Sequence, residues 1–171
     1  MKRIAKFEKV SYEDFKKSMD KCFLNMYPEH EIKDIYNKIK LPKRTTKGSA
    51  GYDFYSPLKL NINKTDQTTI PTGIRVKIDD GWVLKIYPRS GLGFKYKLSL
   101  TNTVGIIDSD YYNSDNEGHI IIKDGHDEGD YIMQLKQGQG FAQGIFVEFG
   151  ITEDDDVDGI RNGGFGSTDI N

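Results

Sequence analysis

The chain has 171 residues and a mass of 19.5 kDa, which fits one domain of ordinary size. Its single cysteine, Cys22, excludes an intramolecular disulfide framework. No apolar run approaches the roughly 18 residues that a transmembrane helix needs, and the first ten residues lack the apolar core of a signal peptide. These features predict a soluble cytoplasmic protein without a membrane partner.

Glycine content and charge both change near residue 47. None of the 18 glycines precedes Gly48. Residues 1–47 carry 13 Lys and Arg against 7 Asp and Glu, a net charge of +6, whereas the rest of the chain has a net charge of −8. Such a basic segment is either a nucleic-acid-binding arm or a layer packed on an acidic body. Its apolar stripes favour the packed layer, so we expect no nucleic-acid partner.

Residues 1–40 are predicted to form a helical extension at the N-terminus. A first helix is expected over residues 11–26, because Ser11 can cap it and apolar side chains recur at steps of three and four. Pro28 suits the first turn of a second helix, which is expected to run to about Lys40.

Beyond Gly48 the apolar pattern changes to a period of two. Residues 74–78 alternate, and Asp80-Gly81 predicts a hairpin to a strand at 83–87. Many short strands predict a mainly β body over 41–152, a sandwich or jelly roll. The other expected strands cover residues 58–62, 68–71, 98–102, 119–122, 131–135 and 145–149.

Residues 153–171 are predicted to be a linker followed by a glycine-rich arm. The run Glu153-Asp-Asp-Asp156 is either a metal site or a solvated linker. Four adjacent carboxylates repel one another and point in different directions, which favours the linker.

Two stretches carry residue types suited to binding a nucleotide. In Pro88-Arg-Ser-Gly-Leu-Gly93, a cationic fork, a hydroxyl and successive N–H groups form either a phosphate site or an ordinary turn. In the second stretch, residues 102–111, the Asn102 amide suits a nucleobase edge. Asp108 beside Tyr111 suits a general base holding a water, although a strand ending in an Asx turn has the same pattern.

Two further stretches are rich in glycine. Gln143, within residues 138–144, could donate to a phosphate. Residues 161–168, Arg-Asn-Gly-Gly-Phe-Gly-Ser-Thr, resemble a phosphate-cradling loop without the P-loop lysine. An aromatic residue between glycines suits a mobile stacking lid, and the alternative is a disordered tail.

Together with Ala50-Gly-Tyr-Asp53, these stretches resemble the five motifs of the trimeric dUTPase family, in order, over residues 41–168. The resemblance implies a jelly-roll-like dUTPase fold and a homotrimer with shared active sites at the subunit junctions. It further implies hydrolysis of dUTP to dUMP and pyrophosphate, with Mg²⁺ on the triphosphate.

The resemblance also implies roles for individual residues. Asp108 would activate the water that attacks the α-phosphate. Tyr111 would pack under the deoxyribose and exclude a 2′-hydroxyl, and Asn102 with the backbone at Gly105 and Ile107 would read uracil. Asp53 would act on Mg²⁺ through water or orient Arg89. The residues expected to hold phosphates are Arg89, Ser90, Gly91, Gln143, Arg161, Ser167 and Thr168, with Phe165 and Gly166 closing over the base.

The sequence departs from the family pattern in places. Gly140 replaces the usual arginine of the fourth motif, and Arg161 lies four rather than five residues before Phe165. The insert at 112–117 and the extension at 1–40 resemble dUTPases from phages of Gram-positive bacteria, which would place the protein in a host cytoplasm.

Some such phage proteins bind repressors, so a regulatory protein that binds a repressor through its extra segments is the alternative hypothesis. A dCTP deaminase, which shares the fold, is the less favoured enzyme alternative.

Overall fold

A computed structural model describes residues 1–62, 67–126, 132–159 and 161. Within these ranges the chain is mainly β, as predicted. The strands are β1 Ala5–Lys9, β2 Tyr52–Tyr55, β3 Leu60–Ile62, β4 Thr68–Pro71, β5 Ile74–Ile78, β6 Trp82–Pro88, β7 Leu98–Leu100, β8 Gly105–Ile107, β9 Ile121–His126, β10 Met133–Leu135 and β11 Gly140–Glu148. The helices are α1 Tyr12–Cys22, α2 Glu29–Lys38, α3 Ser90–Tyr96 and a 3₁₀-helix at Ser109–Asn113.

The strands form antiparallel sheets in a jelly-roll-like arrangement, which confirms the predicted fold class. The largest sheet has the order β2-β11-β6-β8, and a second has the order β4-β9-β7. Two strand pairs, β1 with β5 and β3 with β10, complete the described ladders. Because β11 lies between β2 and β6, it brings the start of the body next to the residues that follow β6.

The first helix begins as predicted and ends early. The Ser11 hydroxyl accepts the N–H of Asp14 at 3.1 Å, which satisfies one of the free donors of the first turn. The helix stops at Cys22 rather than at residue 26, because Leu24 and Asn25 have φ angles of 50° and 58°. The second helix starts directly after Pro28 and ends at Lys38.

Residues 1–40 share the hydrophobic core of the β body. The buried residues of α1 and α2, such as Phe15 and Ile32, belong to the same cluster as the strand residues. The periodicity missed β1, which pairs with β5 in a ladder of five residues. From β1, the Phe7 ring packs against Tyr52, Phe54 and Phe146 of the largest sheet. The basic segment is therefore a packed layer that includes a strand.

Two local predictions were wrong. Gly81 forms the expected turn with φ of 81°, but β5 and β6 do not pair with each other; β5 pairs with β1, and β6 with β11 and β8. Strand β11 begins at Gly140 rather than at residue 145 as predicted, and so includes most of the stretch at 138–144. Alternation identifies strands but not their partners, since pairing depends on contacts distant in sequence.

Among the described residues, no helix combines the length and apolarity needed to cross a membrane.

Candidate active site

Asp53, Arg89, Ser90, Gly91 and Gln143, here called the phosphate cluster, lie near one end of the β2-β11-β6 ladder. Gln143 of β11 stands opposite Asp53 of β2, and Arg89 directly follows β6. Arg89 Nε lies 3.3 Å from Asp53 Oδ1, and Thr45 Oγ1 donates to Asp53 Oδ2 at 3.2 Å. Asp53 thus holds the Arg89 fork in one orientation. The hydrogen bond from Thr45 to Asp53 was not predicted from the sequence.

The absence of side chains at Gly140 and Gly51 leaves the space that the Arg89 and Gln143 side chains occupy. A Cβ at Gly140 would lie 2.6 Å from Arg89 Nη1, and a Cβ at Gly51 would lie 2.6 Å from Gln143 Oε1. The Arg89 guanidinium therefore extends over the position where the family usually carries an arginine. The Gln143 amide is held by a hydrogen bond of 3.5 Å to the Pro88 carbonyl.

The motif after β6 is a short helix rather than a turn. Ser90 and Gly91 open α3, and both are exposed. N–H groups in the first turn of a helix have no intrahelical acceptor, so these two residues can donate to an anion beside the Arg89 side chain. The helix ends where Lys97 adopts a left-handed conformation with φ of 52°.

A second group of predicted residues lines a cavity of about 370 Å³. It is here called the base pocket, and its lining includes Asn102, Gly105, Ile107, Tyr111 and Arg161. The turn before β8 is tight, with the Val104 N–H donating to the Asn102 carbonyl at 2.7 Å. The flanking strands do not form a hairpin, because β7 pairs with β9 and β8 pairs with β6. The turn thus connects two sheets at the mouth of this cavity.

Tyr111 is fixed by hydrogen bonds at its hydroxyl. Its ring is 5% exposed, and the hydroxyl donates to the His119 carbonyl at 2.9 Å while accepting the Asn116 amide at 2.8 Å. Burial raises the pKa of Tyr111 above its ordinary value, so the side chain is a neutral hydroxyl near pH 7. The ring is therefore an immobile wall of the base pocket.

Asp108 adjoins two residues that line the base pocket, since it follows Ile107 in the chain and contacts Arg161. It immediately precedes the 3₁₀-helix, and its side chain is 39% exposed. Arg161 Nη2 lies 2.7 Å from Asp108 Oδ2, and Arg161 Nε lies 3.2 Å from Asp110 Oδ1. Arg161 thus contacts Asp108, the predicted general base, rather than a position expected for a phosphate. The other predicted residues of the fifth motif, Phe165, Gly166, Ser167 and Thr168, lie outside the described residues.

The phosphate cluster and the base pocket of one chain meet β6 at different positions. Ile107 pairs with Leu84 of β6, whereas Arg89 lies five residues further along the same strand direction. At about 3.3 Å per residue, that separation is roughly 17 Å. Among the described residues, no hydrogen bond or ion pair joins the two groups. The structure therefore brings the predicted residues together in two half-sites.

The carboxylates do not form a protein cage for a metal. In the described part of the chain, no group of three or more His, Cys, Asp or Glu side chains could hold an ion. Both oxygens of Asp53 already accept contacts from Arg89 and Thr45. Mg²⁺ keeps several waters and commonly binds through substrate phosphates and one or two carboxylates, so the donor set fits an ion that arrives on a triphosphate.

Comparison with known proteins gives one family. The sequence model of the dUTPase family matches residues 37–169. The deoxyuridine 5′-triphosphate nucleotidohydrolase of Lactococcus lactis is 38% identical over 133 residues, covering 76% of this chain and 88% of that protein. The Escherichia coli enzyme of the same name is 37% identical over 140 residues, covering 77% and 89%.

Solved structures agree with this result. The dUTPase of Streptococcus mutans superposes with a TM-score of 0.64 at 29% identity, covering 86% of this chain and 98% of that one. A variant dUTPase from phage phi11 of Staphylococcus aureus, whose structure has a coordinated structural Mg(II) ion, gives a TM-score of 0.62 at 19% identity, covering 92% and 98%. That phage protein supports the fold alone. From the matched sequence model and the curated relatives together, the chain belongs to the dUTPase family.

Proposed function

We propose that this protein hydrolyses dUTP to dUMP and pyrophosphate, with the Asp108 carboxylate activating the water that attacks the α-phosphate. The observation that carries the proposal is the contact of Asp108 with Arg161 at 2.7 Å, since Arg161 lines a cavity of about 370 Å³ whose wall also includes Tyr111 and Asn102. A carboxylate within reach of water beside a nucleoside-sized cavity is placed for general base catalysis.

The base pocket accounts for recognition of the nucleoside. Asn102 and the backbone at Gly105 and Ile107 offer donors and acceptors to the uracil edge. The Tyr111 ring packs under the deoxyribose and leaves no room for a 2′-hydroxyl. Because its own hydroxyl is bonded to His119 and Asn116, the ring cannot easily move aside for a ribonucleotide.

The phosphate cluster accounts for the triphosphate. Arg89 supplies a charged fork that Asp53 orients, Ser90 and Gly91 supply N–H groups, and Gln143 supplies an amide. When bound with the nucleotide, Mg²⁺ neutralises charge on the phosphate oxygens. Asp53 would contact that ion through water, or would act by orienting Arg89, with which it is already paired.

The separation of the half-sites supports a homotrimer with shared active sites. Along β6, roughly 17 Å separates the position beside Ile107 from Arg89, so in one chain the phosphate fork and the general base start from well-separated backbone positions. The phosphate cluster of one chain would instead complete the base pocket of a neighbour. Arg161 would leave Asp108 for a phosphate, while Phe165, Gly166, Ser167 and Thr168 would close over the nucleotide.

The regulatory alternative stays a prediction. The insert at 112–117 contacts the protein's own N-terminal segment, with Tyr112 Oη donating to Glu8 Oε2 at 2.6 Å and the Ser11 N–H donating to Glu117 Oε2 at 2.8 Å. These contacts engage two side chains of the insert within the protein itself. Among the described residues, no specific contact favours a second function or a dCTP deaminase.

The test of the reaction is pyrophosphate release from dUTP, dCTP, dTTP and UTP with Mg²⁺. Asp108→Asn is expected to lower the rate by about 10²–10⁴-fold, the usual contribution of a general base. Asp156→Asn, which makes the same change in the exposed linker, should retain full activity. Full activity in Asp108→Asn, or no preference of the unaltered protein for dUTP, would refute the proposal.

The shared site is tested by mixing two inactive variants. Asp108→Asn lacks the base, and Arg89→Ala lacks the phosphate fork. If each site combines two chains, subunit exchange between these variants creates some sites with both residues intact, and activity reappears on mixing. Light scattering should give the mass of a trimer. Mixed trimers that stay inactive would show that each site is built from one chain.

A further inference from the structure

The loop that follows Tyr111 is tied to the N-terminal helix α1. His119 is 0% exposed, and its Nδ1 lies 2.8 Å from Asp14 Oδ2 and 3.1 Å from Ser18 Oγ. Both partners are on α1, more than 100 positions away in the chain. The ring also packs near Phe15 of the same helix, with centroids 6.3 Å apart. One imidazole therefore joins α1 to the end of this loop.

The protonation of His119 follows from its partners. The Gly73 N–H donates to His119 Nε2 at 2.8 Å, so Nε2 must be the acceptor nitrogen. A neutral imidazole that accepts at Nε2 carries its proton on Nδ1, and this N–H donates to the Asp14 carboxylate. The Gly73 N–H thus fixes the tautomer. Asp14 accepts the resulting Nδ1–H and so holds the plane of the ring.

The backbone of the same histidine holds Tyr111. The His119 carbonyl accepts the Tyr111 hydroxyl at 2.9 Å, and the Asn116 amide donates to that hydroxyl at 2.8 Å. Ser114 Oγ orients the amide by donating to Asn116 Oδ1 at 2.7 Å. Gly118, with φ of 70°, leaves no space for a Cβ, which would lie 2.8 Å from the Tyr111 carbonyl oxygen. The loop at 114–119 and the Tyr111 ring therefore form one closely packed unit.

We propose that Asp14 is a positioning residue of the nucleotide site, which holds Tyr111 in place through His119 and thereby sets discrimination against ribonucleotides. The proposal rests on the proposed function, in which the Tyr111 ring leaves no room for a 2′-hydroxyl. Asp14 and the rest of α1 lie outside the match to the family model, which begins at residue 37. The extension accordingly contributes to specificity although it does not touch substrate.

The test compares Asp14→Ala with Glu13→Ala, which removes the same charge from the exposed side of the same helical turn. The measurement is kcat/KM for dUTP divided by kcat/KM for UTP, each with Mg²⁺. Asp14→Ala is expected to lower this ratio by about tenfold, because small displacements of a positioning group have effects of this size or larger. Glu13→Ala is expected to leave it unchanged.

Two further readouts separate positioning from general destabilisation. Asp14→Asn keeps an oxygen that accepts from Nδ1, so it should restore most of the ratio. Nitrogen NMR of labelled histidine should show the Nδ1-protonated form in all three proteins, because the Gly73 N–H still donates to Nε2. The Nδ1 resonance should match in the unaltered protein and Asp14→Asn, and should be displaced in Asp14→Ala, where Nδ1–H has lost its carboxylate acceptor. If Asp14→Ala does not fold, Asn116→Ala takes its place, since it removes the other hydrogen bond to the Tyr111 hydroxyl and should lower the ratio likewise.

The outcomes are distinct from those of the proposed function. Failure of the unaltered protein to hydrolyse dUTP would refute the function itself. Active protein with an unchanged dUTP to UTP ratio in folded Asp14→Ala, or in Asn116→Ala where that variant replaces it, would overturn the positioning role alone. A lowered ratio without rescue by Asp14→Asn would also overturn it, because the hydrogen bond would then not be the cause.

Discussion

Replacing Asp124 by asparagine should stabilise the protein in a pH-dependent way. Asp124 lies on β9, the central strand of the β4-β9-β7 sheet, and is 2% exposed. One of its carboxylate oxygens, Oδ2, has no hydrogen-bond partner among the described residues. Burial raises the pKa of Asp124 from 3.8 to about 7. Ionisation of this carboxyl therefore opposes folding.

The sign and size of the change in stability with pH follow from the difference in Asp124 proton binding between the folded and unfolded protein. Between pH 4 and pH 7 the folded protein binds the Asp124 proton more tightly than the unfolded chain, so stability falls as the pH rises through this range. A shift of about three pKa units corresponds to about 4 kcal/mol, fully lost above pH 7. Asparagine has a similar shape and stays neutral. Asp124→Asn should thus gain up to about 4 kcal/mol at pH 8 and less than half of that at pH 5.

The assay is urea unfolding at pH 5 and pH 8 with a fixed subunit concentration, because assembly contributes to apparent stability. Asp156→Asn, at an exposed linker position, is the control and should change the unfolding free energy by less than about 0.5 kcal/mol at either pH. A stability difference between Asp124→Asn and the unaltered protein that is the same at both pH values would refute the reasoning, since the carboxyl would then titrate normally in the folded protein.

Two further substitutions test the site and the core. Gly51→Ala should raise KM for dUTP several-fold, because the new Cβ would lie 2.6 Å from Gln143 Oε1 and displace that amide. Gly48→Ala, with open space around it, is the control, and equal KM values for the two variants would contradict the predicted displacement. Phe15→Ala should lower the unfolding free energy by about 3–5 kcal/mol, since the ring is fully buried. Thermal or urea unfolding measures the loss, the exposed Leu24→Ala should be nearly neutral, and a similarly small effect at Phe15 would argue against the shared core.

Local sequence signals predicted the two N-terminal helices and the strand-rich body, but not α3 or the 3₁₀-helix. Ser11 marks the start of α1 because capping depends only on residues in its own turn. Strand β1 was missed because Phe7 alternates with charged residues within a short basic segment, and its partner β5 lies about 70 positions away. The pairing of β6 with β11 likewise depends on contacts that periodicity does not encode.

The site was predicted mainly through its motifs, and the structure adds what supports them. The sequence indicated Arg89 and Asp108, and only the family resemblance implied that an active site is shared between chains. Asn116 and His119 fall in and beside an apparent loop insert, so their bonds to Tyr111 and α1 could not be inferred from spacing. Gly118 was the available sequence signal for the turn there, at which Glu117 and Gly118 both have left-handed φ values.

The pairing of β1 with β5 has a consequence for the integrity of the body. The ladder from Ala5 to Lys9 satisfies the outer N–H and C=O groups of β5 and covers Val76, which faces the core and is 1% exposed. Without residues 1–40, β5 would present an open, alternating apolar edge, the kind of surface on which chains add to one another as strands and aggregate. The extension therefore also guards the protein against self-association through its sheet edge.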